Sequence, residues 1–353
     1  MTRERPDRPI TVLVIDDSAA NRRAITRILE TAPGIRVVDR AADGEEGLRK
    51  AVALKPDVIT LDLEMPRLDG YSFLRLLTAR APTPVIVLSS YRHPSDVFKA
   101  LQLGAFDFVP KPQGRDAESL ESVRAELIEK VRSVRFVKPP PRESAPPRPA
   151  PAKGKPPRSE APQVIAIGAS TGGPPAVQRV LESLVGLPVC VLVAQHMPAR
   201  FTEAFAQRLN QALSLRVTEA KSGDPLEPGH VYVAPGGEQL ELAQKGSVLQ
   251  LAVRRPAPSD RHAPSVDRLF LSLAEHLGPR VRALVLTGMG DDGAKGVTAL
   301  GRAGAEVWAE AESSAVVFGM PQAAIDTGHV KRILPIEDLG PALSAVLRAQ
   351  RRP

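Results

Sequence analysis

The chain has 353 residues, a single cysteine and a formal net charge of +7. One cysteine excludes an intrachain disulfide, and no apolar run approaches the ~18–20 residues of a membrane helix. The positive charge would suit nucleic acid or an acidic membrane, but six basic residues against two acidic ones between Lys138 and Glu160 supply four of the seven excess charges. The rest of the chain is only mildly basic, so nucleic-acid binding and membrane insertion are not expected. Met1–Pro9 is charged and lacks the apolar core of a signal peptide, which points to the cytoplasm.

From Ile10, short β-branched runs alternate with amphipathic stretches. Thr11–Ile15, Ile35–Asp39, Val58–Leu61, Val85–Leu88 and Phe106–Val109 read as strands, with helices such as Ala20–Glu30 and Gly44–Leu54 between them. This alternation predicts an α/β domain with a doubly wound parallel sheet over 10–135. A long last helix runs from Ala117 to about Phe136. The segment 136–162 is rich in Pro, Lys, Arg, Ala and Ser and reads as a semi-stiff linker. Alternation resumes with Val164–Ile167, Val189–Ala194, Val231–Ala234, Val281–Leu286 and Val307–Ala309 as strands. Pro174–Leu184, Arg200–Gln211, Val266–Leu277 and Gly293–Arg302 read as helices. A second doubly wound α/β domain over 163–348 follows. Cys190 lies inside an apolar run and reads as a buried structural thiol.

Parallel sheets carry their chemistry at the carboxyl ends of strands. In the first domain Asp16 and Asp17 follow the first strand and Asp62 follows the third. Three converging carboxylates need a cation, and hard oxygen ligands suit Mg²⁺. Ser89 closes the fourth strand, and Lys111, before Pro112, follows the fifth. A cis Lys111–Pro112 bond would aim that ammonium at a transferred phosphoryl group. Asp69-Gly70 reads as a turn. With the stretch DLEMPRLDG, these residues resemble the flavodoxin-like receiver domain of two-component response regulators. The resemblance implies that Asp62 accepts a phosphoryl group from a chemotaxis histidine kinase. It further implies that Asp16, Asp17, Asp62 and the carbonyl of Glu64 hold Mg²⁺, and that Ser89, Lys111 and Phe108 sense the phosphoryl group.

In the second domain Ser170 sits in Gly168-Ala169-Ser170-Thr171-Gly172-Gly173, between a strand and a helix. Glycines allow the tight turn, and a helix N-terminus there would offer free N–H groups to an oxyanion. A serine nucleophile needs a base and an orienting acid. His196 ends the second strand, and Asp291-Asp292 follow a later one. A dinucleotide loop is disfavoured because the G-x-G-x-x-G spacing is absent. Gly168–Gly172 also satisfies G-x-S-x-G, whose fold orders its triad Ser, acid, His. Asp326 and His329 would give that order but lie three apart in one segment. His329, His230 and His276 read as surface histidines, and His262 stays open.

The runs IGASTGGP, AQHMPARFTEAF, APSVDRLF, LTGMGDDGAKG and VVFGMPQAAI are similar to the catalytic domain of the chemotaxis methylesterase family, a Rossmann-like fold. The resemblance implies Ser170 as nucleophile, His196 as base and Asp292 as orienting acid, although the adjacent Asp291 keeps the choice open. Thr171 and Met289 would lie near the oxyanion. It implies hydrolysis of glutamate γ-methyl esters on methyl-accepting chemoreceptors, with deamidation of receptor glutamines as a related activity and no cofactor in that domain. The receiver would cover the Ser170 cleft until Asp62 is phosphorylated. The alternative is a response regulator whose second half only binds a partner, but no helix-turn-helix or basic recognition helix is visible.

Overall fold

A computed structural model describes residues 8–89, 94–111, 117–136 and 164–350, which fall into two compact units divided after Val137. The linker expected at 136–162 and the Lys111–Pro112 bond lie outside the described residues, apart from Phe136 and Lys111 themselves. No described helix is long and apolar enough to cross a membrane.

In the first unit β1 (Ile10–Ile15), β2 (Ile35–Ala41), β3 (Val58–Asp62), β4 (Val85–Ser89) and β5 (Asp107–Pro110) form one parallel sheet, ordered β2-β1-β3-β4-β5. Helices α1 (Ala19–Glu30), α2 (Gly44–Leu54), α3 (Gly70–Arg80), α4 (Pro94–Gln102) and α5 (Ala117–Ser133) connect or follow them. Every residue of β3 and β4 is buried, as expected where helices cover both faces of a parallel sheet. β1 pairs with β3 over Val12–Ile15 and Val58–Leu61. That register brings Asp16 and Asp62 to neighbouring positions on one sheet edge. Asp69 caps α3, accepting from the Ser72 N–H at 2.7 Å. The Asp69-Gly70 pair is therefore a helix start rather than a plain turn.

The second unit holds β6 (Val164–Ala169), α6 (Gly173–Glu182), β7 (Cys190–Gln195), α7 (Phe201–Ala212), β8 (Arg216–Glu219), β9 (His230–Val233), β10 (Gln239–Lys245) and β11 (Val248–Arg254). It continues with α8 (Val266–His276), β12 (Val281–Val285), α9 (Ala294–Arg302), β13 (Glu306–Glu310), α10 (Gly319–Asp326), β14 (Val330–Leu334) and α11 (Ile336–Ala349). Seven of these strands form a parallel sheet ordered β14-β13-β12-β6-β7-β9-β8, and β10-β11 is a separate antiparallel hairpin. The chain leaves β6 toward β7 and later returns to its other side at β12. In open parallel sheets that switch of direction, here at the carboxyl ends of β6 and its neighbours, is where ligands bind.

Four strands were not anticipated. β8 and β14 are edge strands, and β14 (Val-Lys-Arg-Ile-Leu) has no fully buried residue. The hairpin had a signal, Gly246-Ser247 between two alternating runs, with Gly246 at φ +63 and Lys245 paired to Val248. His230 is not a surface residue. It is buried on β9, its Nε2 2.9 Å from Thr218 Oγ1 and its ring on Tyr232. His276 and His329 are half-buried. Cys190 is buried, and burial pushes its thiol up to about 12, with Glu227 adding to the shift.

Candidate functional sites

The first-unit cluster forms where the sheet register predicts it. Carboxylate oxygens of Asp16, Asp17 and Asp62 lie within 4.8 Å of one another. Asp16 and Asp62 are buried and Asp17 is exposed. Lys111 Nζ reaches Asp62 Oδ2 at 2.5 Å and Asp16 Oδ2 at 3.1 Å. Burial opposes the Lys111 charge, yet the Asp16 and Asp62 carboxylates raise its pKa above the usual lysine value. The Asp62 pKa is also raised, by burial and by Asp16 beyond what Lys111 offsets. One ammonium among three carboxylates leaves the cluster net negative, and oxygen donors this close suit a small hard dication. Ser89 is buried at the end of β4, and its carbonyl accepts from the Lys111 N–H at 2.7 Å. Glu64 donates its N–H to Asp62 Oδ1 at 3.3 Å. Phe108 is buried on β5 with the Lys130 ammonium 4.9 Å from its ring centre.

In the second unit β6 pairs with β7 up to Ala169 and Gln195. Ser170 and His196 are thus the next residue on each of two adjacent strands. The Ser170 N–H donates to Thr287 O at 3.0 Å, which ties the serine to the loop after β12. His196 Nε2 lies 2.7 Å from Asp292 Oδ2. Asp292 also accepts from Ser265 Oγ at 2.9 Å and from the N–H groups of Val266 and Asp267 at 2.7 and 3.0 Å. Those donors open α8, whose N-cap is Ser265. Asp267 in turn accepts from the Gly293 and Gly296 N–H groups at the start of α9. Asp267 of α8 thus serves the start of α9, and Asp292, just before α9, serves the start of α8.

Burial would raise the Asp292 pKa, but the hydrogen bond to His196, the imidazole charge and the Asp267 and Val266 N–H groups hold it far below the usual carboxylate range. Asp292 is ionised across the physiological range, so the Nε2 facing it carries the proton and Nδ1 is the basic nitrogen. Asp291 is exposed, 3.6 Å from Arg261. His262 stacks on His196, with ring centres 4.3 Å apart and planes 10° off parallel. Burial, then the His196 charge, lowers the His262 pKa to about 4, so it covers one imidazole face as a neutral ring. The hairpin serves this arrangement. Gln239 of β10 donates to His262 O at 2.7 Å and accepts from the Ser265 N–H at 2.8 Å.

One expectation needs correction. The start of α6 is poor in free donors, because the Gly173 N–H is taken by Ser170 O and Pro174 and Pro175 carry none. The N–H groups of Thr171 and Met289 have no partner among the described residues. Gly288 must lack a side chain, since a Cβ there would lie 2.8 Å from Ser170 Cβ and 2.4 Å from Met320 Sδ. Asp326 and His329 sit at the far end of α10 and contribute nothing to the His196–Asp292 pair.

Sequence reasoning passed over Gln195. Its buried side-chain amide donates to Ser170 O at 2.9 Å and to His196 O at 3.0 Å, and so ties the two strand ends together. Its only sequence signal was a polar residue closing an apolar strand. A Cβ on Gly173 would lie 2.0 Å from Gln195 Oε1. Gly173→Ala is therefore expected to displace this amide and lower kcat at least about tenfold, with little change in KM. Steady-state kinetics on the folded variant check it.

The CheB methylesterase family model matches residues 165–343, and the response regulator receiver domain model matches residues 12–122. A protein-glutamate methylesterase/protein-glutamine glutaminase of Myxococcus xanthus is 60% identical, covering 97% of this chain and 98% of its own length. One from Geobacter sulfurreducens is 47% identical over 94% and 95%. Among solved structures, the Thermotoga maritima CheB methylesterase catalytic domain is 34% identical with a TM-score of 0.51, covering 53% of this chain and 99% of that one.

Proposed function

The chain belongs to the CheB methylesterase family, and on that premise we propose that it hydrolyses glutamate γ-methyl esters on chemoreceptors under control of its receiver. The observation that carries this is the buried, four-times hydrogen-bonded Asp292 holding His196, the residue that follows β7 as Ser170 follows the adjacent β6. In this reading His196 Nδ1 takes the Ser170 proton as Oγ attacks the ester carbonyl. The N–H groups of Thr171 and Met289 donate to the oxyanion. Collapse expels methoxide, which takes the proton back from His196 and leaves as methanol. Water, activated by the same imidazole, then attacks the acyl-Ser170 and releases the glutamate carboxylate. The same steps with ammonia as leaving group deamidate glutamine. The test is release of methanol from receptor-bearing membranes whose glutamates carry isotopically labelled methyl esters.

We assign the receiver to 10–135, the linker to 136–162 and the catalytic domain to 163–348, acting in the cytoplasm. Asp62 is the phosphoacceptor for a chemotaxis histidine kinase. Asp16, Asp17, Asp62 and the Glu64 carbonyl would hold Mg²⁺, which supplies charge neutralisation for phosphoryl transfer. Lys111 pairs with the phosphoryl group, and Ser89 and Phe108 respond to it. Phosphorylation shifts the population toward an uncovered Ser170. Asp62→Asn should leave basal methanol release within about twofold of the parent and lose all stimulation by a small phosphodonor with Mg²⁺. Stimulation that survives the change would remove Asp62 from the switch.

A further inference from the structure

Glu310 ends β13, on the strand beside β12, and is 1% exposed. Its Oε2 accepts from the Thr287 N–H at 2.8 Å, and its Oε1 lies 2.8 Å from Ser314 Oγ. No lysine, arginine or histidine among the described residues pairs with it. Thr287 is the hub of the loop beneath Ser170. Its carbonyl accepts from the Ser170 N–H at 3.0 Å, and its hydroxyl donates to Thr171 O at 2.9 Å and accepts from the Val317 N–H at 2.9 Å. Gly288 and Met289 follow it directly.

We propose that Glu310 is a positioning residue for hydrolysis, whose carboxyl anchors the Thr287–Met289 segment so that the Met289 N–H meets the oxyanion beside Ser170. This rests on the hydrolase reading above. A carboxylate with no cation partner is costly at this depth, and the surrounding groups suit the neutral acid. Ser314 Oγ, 2.8 Å from Oε1, also accepts from the Ile336 N–H at 2.9 Å, so its oxygen can take a hydrogen bond from the Oε1–H of a neutral acid. The Ser314 hydroxyl then turns to Ala311 O at 3.4 Å. Burial lifts the Glu310 pKa from the carboxylate range to about 7, against the hydrogen bonds from Thr287 and Ser314, and Glu337 of α11 adds to the rise. The other charges nearby do not relieve it. Glu306 and Arg332, on β13 and β14, engage each other, and Glu312 is exposed. Ionisation would set a negative charge behind the segment that must meet an oxyanion.

Glu310→Gln keeps the shape of the neutral acid, with its carbonyl accepting from Thr287 and its amide donating to Ser314. In the full-length enzyme, with labelled receptor membranes and a phosphodonor, Glu310→Gln should keep at least half of the parental kcat at pH 6.5. The ratio of its kcat to the parental kcat should then rise severalfold by pH 8.5. Glu310→Ala should lose tenfold or more in kcat, with KM within twofold. A ratio flat with pH, or a Glu310→Gln variant as impaired as Glu310→Ala, overturns the proposal. The first measurement stands even if Glu310→Ala does not fold. Absence of methanol release by the parent enzyme would instead overturn the hydrolase reading.

Discussion

Ser170→Ala should abolish methanol release, lowering kcat by about 10⁴-fold or more, because in the proposed mechanism Ser170 Oγ is the attacking oxygen. The expectation is sharp because the change should do little else. Ser170 is half-buried, and its hydroxyl makes no hydrogen bond to a described residue. The backbone bonds that hold it, from its N–H to Thr287 and to its carbonyl from Gly173 and Gln195, do not involve the side chain. Folding stability should therefore stay within about 0.5 kcal/mol of the parent, and thermal unfolding of the variant checks this. Receptor binding should persist, so the variant should still associate with methylated membranes. Residual release above about 1% of the parental rate would mean that Ser170 is not the nucleophile.

The pattern of strand-end residues was readable from the sequence because it depends on buried strands, and buried parallel strands are continuous apolar runs. Val58–Leu61 and Val164–Ile167 announce themselves, and Asp62 and Ser170 follow at their ends. What stayed hidden depends on side chains meeting across long sequence separations. Nothing local distinguishes Asp291 from Asp292. The choice appears only when α8 turns its first N–H groups toward one of them, 25 to 27 residues away. Gln195 and Glu310 were equally hidden, since a single polar residue at a strand end reads as the strand meeting solvent. Both are instead buried and bonded to the loops after β6 and β12, Gln195 to Ser170 O and Glu310 to the Thr287 N–H. The edge strands β8 and β14 were missed for the opposite reason, being too short and too polar to show alternation.

Asp292→Asn should lower kcat by about 10³–10⁴-fold and also destabilise the fold, whereas Asp291→Asn should change neither by more than about twofold in kcat. The catalytic loss follows from removing the charge that fixes the His196 tautomer and stabilises its protonated form. The stability loss has a separate origin. Asp292 accepts from His196, Ser265 Oγ and two N–H groups of α8, whereas asparagine offers one acceptor oxygen and an amide that would face donors. Leaving one buried donor unpaired costs about 1–3 kcal/mol. The pH dependence identifies this contribution. Because the folded-state pKa lies far below the unfolded one, the folded protein binds fewer protons through the acid range. The stabilisation is complete above the ordinary carboxylate pKa and is lost as pH falls toward the folded-state value. The difference in melting temperature between parent and Asp292→Asn should thus be larger at pH 5 than at pH 3, shrinking below about pH 4. A gap that narrows with acid while kcat stays at the parental level would make Asp292 a helix cap and nothing more. Loss of both together is expected, because one carboxylate holds the imidazole and the start of α8 at once.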